Sequence, residues 1–424
     1  MSEELLQFIW QNRLFDIDSL VAHTGEKVDV IHVGSRSINS GPDFINARIK
    51  VGETIWAGNT EIHTLASDWF KHGHDTDKAY DNVILHVVKK NDAVIRRSDG
   101  EEIPTLELKY NSFYEQKYED LKTSRNWIPC QKDFCIEDDF QLHAWLERLC
   151  IERLEQKATR ILNLLAFYKN DWEESFYCAL ATNLGYKINA QPFEMLAKSV
   201  PLNTLLRHRD NLLQIEALLF GQAGFLSASL FDDAYFNSLK KEYQFLRKKY
   251  TLKPMESHLW QFMRLRPAGF PTVRIAQLAS LIFRSNSLFS RILGTSDLQR
   301  LCAVFRTEPS SYWITHHQFN KPGVSQVKLL GSDTIDSIII NTVVPFLFCY
   351  GNTHGIQKFK DRAVEFLARI DAEQNSIIKE WESLGMKAKD AMDTQSLLQL
   401  KNEYCNRRKC LSCQVGMWIL GRKT

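Results

Sequence analysis

The sequence predicts an α/β N-terminal domain, a mixed sheet with flanking helices, followed by a large all-α C-terminal domain. Three observations carry this expectation. Residues 44 to 51 alternate apolar and polar side chains with the period of two that a half-buried strand requires. Residues 82 to 90 hold the near-continuous apolar run of a strand covered on both faces. From Glu137 onward most apolar spacings become helical. At 424 residues the chain is long enough for two or three cores, and 44% hydrophobic with 25% charged residues is ordinary globular composition. The expected division is an α/β domain over 1–110, a junction over 111–136 and a helical domain over 137–424.

The elements follow in order. Leu5, Leu6, Ile9, Trp10 and Leu14 share one face of a helix over 3–15. Strands are expected at 19–23 and 27–33 around a Gly25-Glu26 turn, then a loop over 34–42. Ile45, Ala47, Ile49 and Val51 put the odd positions of the strand 44–51 on the core side. Gly52-Glu53 turns the chain, and on the return strand over 54–63 Ile55 and Ala57 are odd as well. Ser67 is placed to cap a short helix at Asp68. A hairpin over 94–108, turning at Asp99-Gly100, closes the domain. Helices are then expected at 137–168 (as one or two), 171–184, 212–220, 233–250, 271–284, 334–348 and 394–405, with Pro271 in a first turn where its missing N–H costs nothing.

The acidic start Met-Ser-Glu-Glu differs from the basic start of a signal peptide. The longest apolar run, Ile338 to Tyr350, is interrupted and shorter than the ~20 residues of a membrane span. Nine cysteines, an odd number without a secretion signal, argue against a disulfide framework. Together these predict a cytoplasmic protein without a membrane partner. The net charge of +2 divides into −6 over residues 1–110 and +8 over the remainder. An acidic half suits cations and a basic half suits phosphate chains.

Four groups of residues carry candidate chemistry. Asp43 opens the first strand of the hairpin, and Glu61 and His63 end the second. If the core-facing residues pair with each other, the two strands have an even pairing sum and Asp43 lies opposite Glu61 or His63 on the same face. Opposed Cβ atoms are then roughly 5 Å apart, close enough to share Mg²⁺ or Mn²⁺. A two-residue turn gives an odd sum, so this site requires a three-residue turn or a bulge near Gly52. His72, His74 and Asp77, with Asp68 and Asp75 nearby, offer a second metal position or a phosphate-binding edge, while His86 reads as a hydrogen-bonded core residue. Arg264, Arg266 and Arg274 flank a Pro-rich turn at a helix start. They can receive phosphate or bridge helices. Cys405, Cys410 and Cys413, with Cys130 or Cys135 as a fourth ligand, suit Zn²⁺ or an iron–sulfur cluster. The alternative is incidental thiols at a helical turn. Cys150, Cys178, Cys302 and Cys349 read as core residues.

Asp after Pro, a strand, then Glu-x-His at the end of the next strand resembles the PD-(D/E)XK nuclease superfamily, as does the order of elements over roughly residues 3–110. The resemblance implies a restriction-endonuclease-like fold in which Asp43 and Glu61 are metal ligands and residue 63 orients or activates water. His63 stands where that family has lysine. Some members hold an iron–sulfur cluster on one distant and three C-terminal cysteines, an arrangement similar in outline to Cys130 with Cys405, Cys410 and Cys413 but differently spaced. The longer runs GPDFINARI, WAGNTEIHTLASDWFKHGHDTDKAYDNVILHVV and RLRPAGFPTVRIAQLA resemble a bacterial family known as domain of unknown function 2851, which implies no activity. The nuclease resemblance implies metal-dependent phosphodiester hydrolysis, with the basic helical domain holding nucleic acid. Two alternatives stand beside it: a non-catalytic nucleic-acid-binding or scaffold protein with a degenerate nuclease fold, and a metallohydrolase acting on a small phosphorylated substrate through His72 and His74.

Overall fold

A computed structural model describes residues 2–37, 40–227, 233–285 and 287–421. The chain forms two compact units, Met1–Trp145 with Leu400–Thr424, and Leu146–Gln399. The division differs from the expected boundaries at 110 and 137. The segment read as a junction carries helix α3 (Phe113–Thr123) of the first unit, and the C-terminal tail returns to that unit rather than finishing the helical one.

The first unit opens with α1 (Glu3–Gln11), whose Leu5, Leu6, Phe8, Ile9 and Trp10 are all buried. A six-stranded sheet follows in the order β1-β3-β4-β5-β6, with β2 beside β3. The strands are β1 (Val28–His32), β2 (Ser35–Arg36), β3 (Phe44–Val51), β4 (Thr54–Leu65), β5 (Val83–Lys90) and β6 (Thr105–Glu107). β1, β3 and β4 form an antiparallel meander. The short helix α2 (Asp68–Lys71) lies on the connection to β5, which runs parallel to β4. Residues 83 to 88 of β5 are all buried, as their continuous apolar run requires of a strand covered on both faces. The strand expected at 19–23 is reduced to single bridges at Val21 and Ala22. The hairpin expected over 94–108 is reduced to one bridge, Arg96 to Glu102, and β6 instead joins the sheet parallel to β5. Ser67 does not cap α2 with its side chain; its hydroxyl donates to Asp92.

The β3–β4 hairpin corrects the sequence-based parity. The turn at Gly52-Glu53 has two residues, and Val51 pairs with Thr54, Ile49 with Trp56 and Ala47 with Gly58. The register then shifts by one, so that Phe44 pairs with Thr60. The shift is a β-bulge containing Asn46, whose φ of 58° lies in the left-handed region that asparagine tolerates better than most residues. The bulge that the site requires is therefore present, at the site's own end of the hairpin rather than near Gly52. It turns Ile45 outward, 40% exposed, and puts Phe44 in the core in its place. Ile55 and Ala57 also face solvent, against expectation.

The second unit is helical, with one two-residue-looped ribbon, His316–Gln318 with Lys321–Pro322. Residues 139–167 are one helix rather than two. Helices Trp172–Leu184, Leu212–Gln222 and Ala234–Tyr250 each start where Asp171, Asn211 or Asp233 accepts a hydrogen bond from a first-turn N–H. Pro271 opens helix Pro271–Arg284 as expected. Phe176, Phe220, Phe289, Trp313 and Phe346 fill the core, together with Cys150, Cys178 and Cys349. The continuous helical stretch Ser332–His354 is long and apolar enough to cross a bilayer by length and composition, but 78% of its most apolar window is buried within the protein, as in a core helix.

Candidate metal centre

The end of the β3–β4 hairpin gathers acids and imidazoles from four elements. Asp43 precedes β3. Its backbone N–H donates to Glu61 Oε2 at 3.0 Å, and its own Oδ2 accepts from Ile62 N–H at 3.1 Å. These reciprocal bonds follow from the bulge, which sets Asp43 opposite Glu61 on the buried side. Glu61 is 5% exposed, and its Oε1 lies 3.6 Å from His63 Nε2 and 3.4 Å from His74 Nε2. His63, 1% exposed, meets His86 through Nδ1 at 2.8 Å and His72 through Nε2 at 3.1 Å. Ligand atoms of His63, His72 and His74 all lie within 4.8 Å of one another. His74 stacks on Tyr80 with 3.7 Å between ring centroids, which fixes its plane.

Electrostatics mark the group as short of positive charge. Burial, then Glu61 and Glu3, push the Asp43 carboxyl up to about 7. Burial, then Glu61 and Asp68, raise Glu3 as well. Burial, with His72 and His74 beside it, brings His63 down to about 3, and burial takes His86 well below the usual imidazole range. A divalent cation in this space would displace the proton from Asp43, relieve the carboxylate repulsion and take up the lone pair of neutral His63. When His63 Nδ1–H donates to His86 Nε2, the lone pair of His63 Nε2 faces the space shared with His72, His74 and Glu61. A hydrogen-bonded outer imidazole of this kind orients a metal ligand.

Of the candidate residues, Asp43, Glu61, His63, His72 and His74 come together. Asp77 does not join them: it is exposed, and its carboxylate accepts from Ala79 N–H to cap the 3₁₀ turn Lys78–Tyr80. His86 is a hydrogen-bonded core residue, as expected, but its partner is the site itself. Sequence reasoning missed the contribution of α1. Gln7 Nε2 donates to Asp43 Oδ1 at 2.8 Å, Gln7 Oε1 accepts from Arg36 at 2.8 Å, and Glu3 lies close enough to be repelled by Glu61. The signal was present: Gln7 is a buried polar residue inside the apolar stripe of α1.

The arginine block divides. Arg274 is 7% exposed, bonds Gln277 and Thr334 and stacks over the Tyr186 ring, as a helix-bridging residue does. Arg264 and Arg266 are exposed. Cys130, Cys405, Cys410 and Cys413 are all buried and line one pocket, with Pro129, Tyr404, Lys409 and Gly416. Cys135 is outside that lining, with its thiol 4.0 Å from Glu137.

Residues 3–376 match the family described as protein of unknown function DUF2851, and the chain belongs to that family. No curated protein and no solved structure matches the chain.

Proposed function

We propose that this member of the DUF2851 family is a metal-dependent, nuclease-like phosphodiesterase whose centre is built from Asp43, Glu61, His63, His72 and His74. One observation carries the reading: a half-buried carboxylate, Asp43, and a buried one, Glu61, each tied to the other's strand, face three imidazoles whose ligand atoms lie within 4.8 Å. The order helix, antiparallel meander, helix, parallel strand, with acids at the end of the hairpin, supports a restriction-endonuclease-like core.

The donor set favours Mn²⁺ over Mg²⁺. Mg²⁺ prefers oxygen ligands and retained water, whereas mixed imidazole and carboxylate donors suit transition metals. Asp43 and Glu61 would hold the cation, which would polarise a phosphoryl oxygen and lower the pKa of bound water. Lysine at position 63 would bring a positive charge. His63 is held neutral far below working pH, so it is a poor general base and a good ligand or water-orienting group. Glu3 stands at the edge of the group, where burial and Glu61 raise its carboxyl. Gln7 and Arg36 hold the Asp43 carboxylate in position.

The neutral His63 also favours a second reading, a nucleic-acid-binding or scaffold protein that keeps the fold without the reaction. One experiment separates the two. Purified protein is incubated with single- and double-stranded DNA and RNA in Mn²⁺ or Mg²⁺, beside Asp43→Ala and Glu61→Ala variants of unchanged circular dichroism. Cleavage that needs Mn²⁺ and is lost in both variants is expected. Salt-sensitive binding without cleavage supports the scaffold.

A further inference from the structure

The helical unit holds a pocket formed entirely by its own residues. Part of the lining is cationic. Arg153, Lys157 and Arg160 follow one another on helix Asp139–Phe167 at spacings of four and three residues, so they share one face, and all three line the pocket. Lys157 Nζ donates to Gln395 Oε1 at 2.9 Å, to Asn341 Oδ1 at 3.0 Å and to Ile340 O at 3.5 Å. Arg153 Nε donates to the same Gln395 oxygen at 2.7 Å. Two cations are thus gathered on one neutral acceptor, which orients them without cancelling their charge.

Carboxylates do not make up the difference. Among the described residues neither Lys157 nor Arg160 forms an ion pair. Glu194 lines the pocket but pairs with Lys198 at 2.5 Å. Glu373, whose charge favours the Lys157 ammonium, accepts instead from Gln395 Nε2. Burial, then Arg153, bring Lys157 down to about 7, and Arg160 adds to the effect. An anion among these groups would reverse it.

The backbone is shaped at the same place. The helical stretch Ser332–His354 contains the π-turn Ile339–Val343. Such a turn widens a helix by one residue and recurs at functional sites. This one gives Ile340 O and Asn341 to Lys157, and Asn341 with Thr342 to the pocket lining. Asn183 Nδ2 donates to Thr342 Oγ1 at 2.9 Å and ties the turn to helix Trp172–Leu184. Ile161, Leu164, Pro345 and Phe346 add an apolar part to the lining.

Charge and lining together select the ligand. A carboxylate brings one negative charge to three cations, whereas a phosphate monoester brings about −1.5 to −2 near neutral pH. Guanidinium groups pair two phosphate oxygens at once. The apolar part of the lining suits an organic body.

We propose that this pocket binds a small phosphate monoester, its phosphate on Arg153, Lys157 and Arg160 and its organic body against Phe346 and the apolar residues beside it. The full chain, kept metal-free with EDTA, is titrated calorimetrically near neutral pH with phenyl phosphate, inorganic phosphate and benzoate. Phenyl phosphate should bind roughly tenfold or more tightly than either of the others. Arg160→Glu, at an exposed position, should weaken it by roughly tenfold or more, and Lys379→Glu, the same charge change at another exposed position of this unit, should not. Absence of phenyl phosphate binding overturns the proposal. So does benzoate or inorganic phosphate binding as tightly, or an unchanged affinity in Arg160→Glu. The wild-type comparison decides even if that variant does not fold. Because no metal is present, the outcome is independent of the reaction proposed for the first unit.

Discussion

The two ligand groups of the first unit are built in opposite ways. The carboxylate–imidazole group is anchored on strands at Glu61, His63 and His86, with His72 and His74 added from the turn after α2, and the meeting of Asp43 with Glu61 is set by pairing register. The thiol group sits on turns, and its geometry depends on a tail that closes over a segment more than 270 residues earlier in the chain. A strand site is held in place before any ion arrives, because both of its neighbours are hydrogen-bonded along their length. A turn site has few such bonds and depends on how the tail packs. The first should therefore fold without metal.

The largest expected effect breaks the strand site chemically. Asp43→Ala or Glu61→Ala should lower Mn²⁺-dependent cleavage by roughly 1,000-fold or more, about 4 kcal/mol of transition-state stabilisation, with the fold retained. Single-turnover assays check this; activity within tenfold of wild type would remove both residues from the reaction.

Next comes a test of register itself. Asn46→Val puts a β-branched residue where φ is positive. It should destabilise the protein by about 1–3 kcal/mol and weaken Mn²⁺ binding, because relief of the strain removes the bulge and turns Asp43 away from Glu61. Asn46→Gly should keep both properties. Denaturant unfolding with calorimetric titration of Mn²⁺ distinguishes them, and equal Mn²⁺ affinity in the two variants would detach the bulge from the site.

A smaller effect is the pH dependence of the metal-free protein. Asp43 is raised to about 7 in the folded state from an ordinary 3.8, so the native chain binds more protons than the unfolded one between those values. Stability from this group is full below about pH 4 and is lost as pH rises through 7. Mn²⁺ should raise the melting temperature more at pH 8 than at pH 5.5, and Asp43→Asn should flatten the metal-free profile. A Mn²⁺ shift that is equal at both pH values would contradict this account of the charge.

The smallest expected effect on nucleic acid comes from the buried arginine. Arg274→Met should leave the salt dependence of binding unchanged while lowering stability by about 1–3 kcal/mol through its lost bonds to Gln277 and Thr334. A reduced salt slope would return Arg274 to a phosphate role.

Several features were legible in the sequence because they are local. The apolar run of β5, the helix caps at Asp171, Asn211 and Asp233, Pro271 at a helix start and the kinds of ligand in each group depend on near neighbours alone. The odd-position core face of β3 held at Ala47, Ile49 and Val51 but failed at Ile45, because the extra residue in the bulge reverses the side on which Phe44 and Ile45 before it fall. The hairpin expected at 94–108 failed because β6 found its partner across the sheet rather than across its own turn.

By itself, the sequence determined which chemistry is available: carboxylates and imidazoles near one hairpin, three thiols in one tail, and a helical second part. Only the tertiary structure decided how these groups meet. It selected Cys130 over Cys135, brought Gln7 and Glu3 of α1 to the hairpin, spent Asp77 on a cap and buried Arg274 between helices. The reason is that local periodicity assigns a residue to a face, while distance across the chain is set by register, bulges and the packing of elements far apart in sequence.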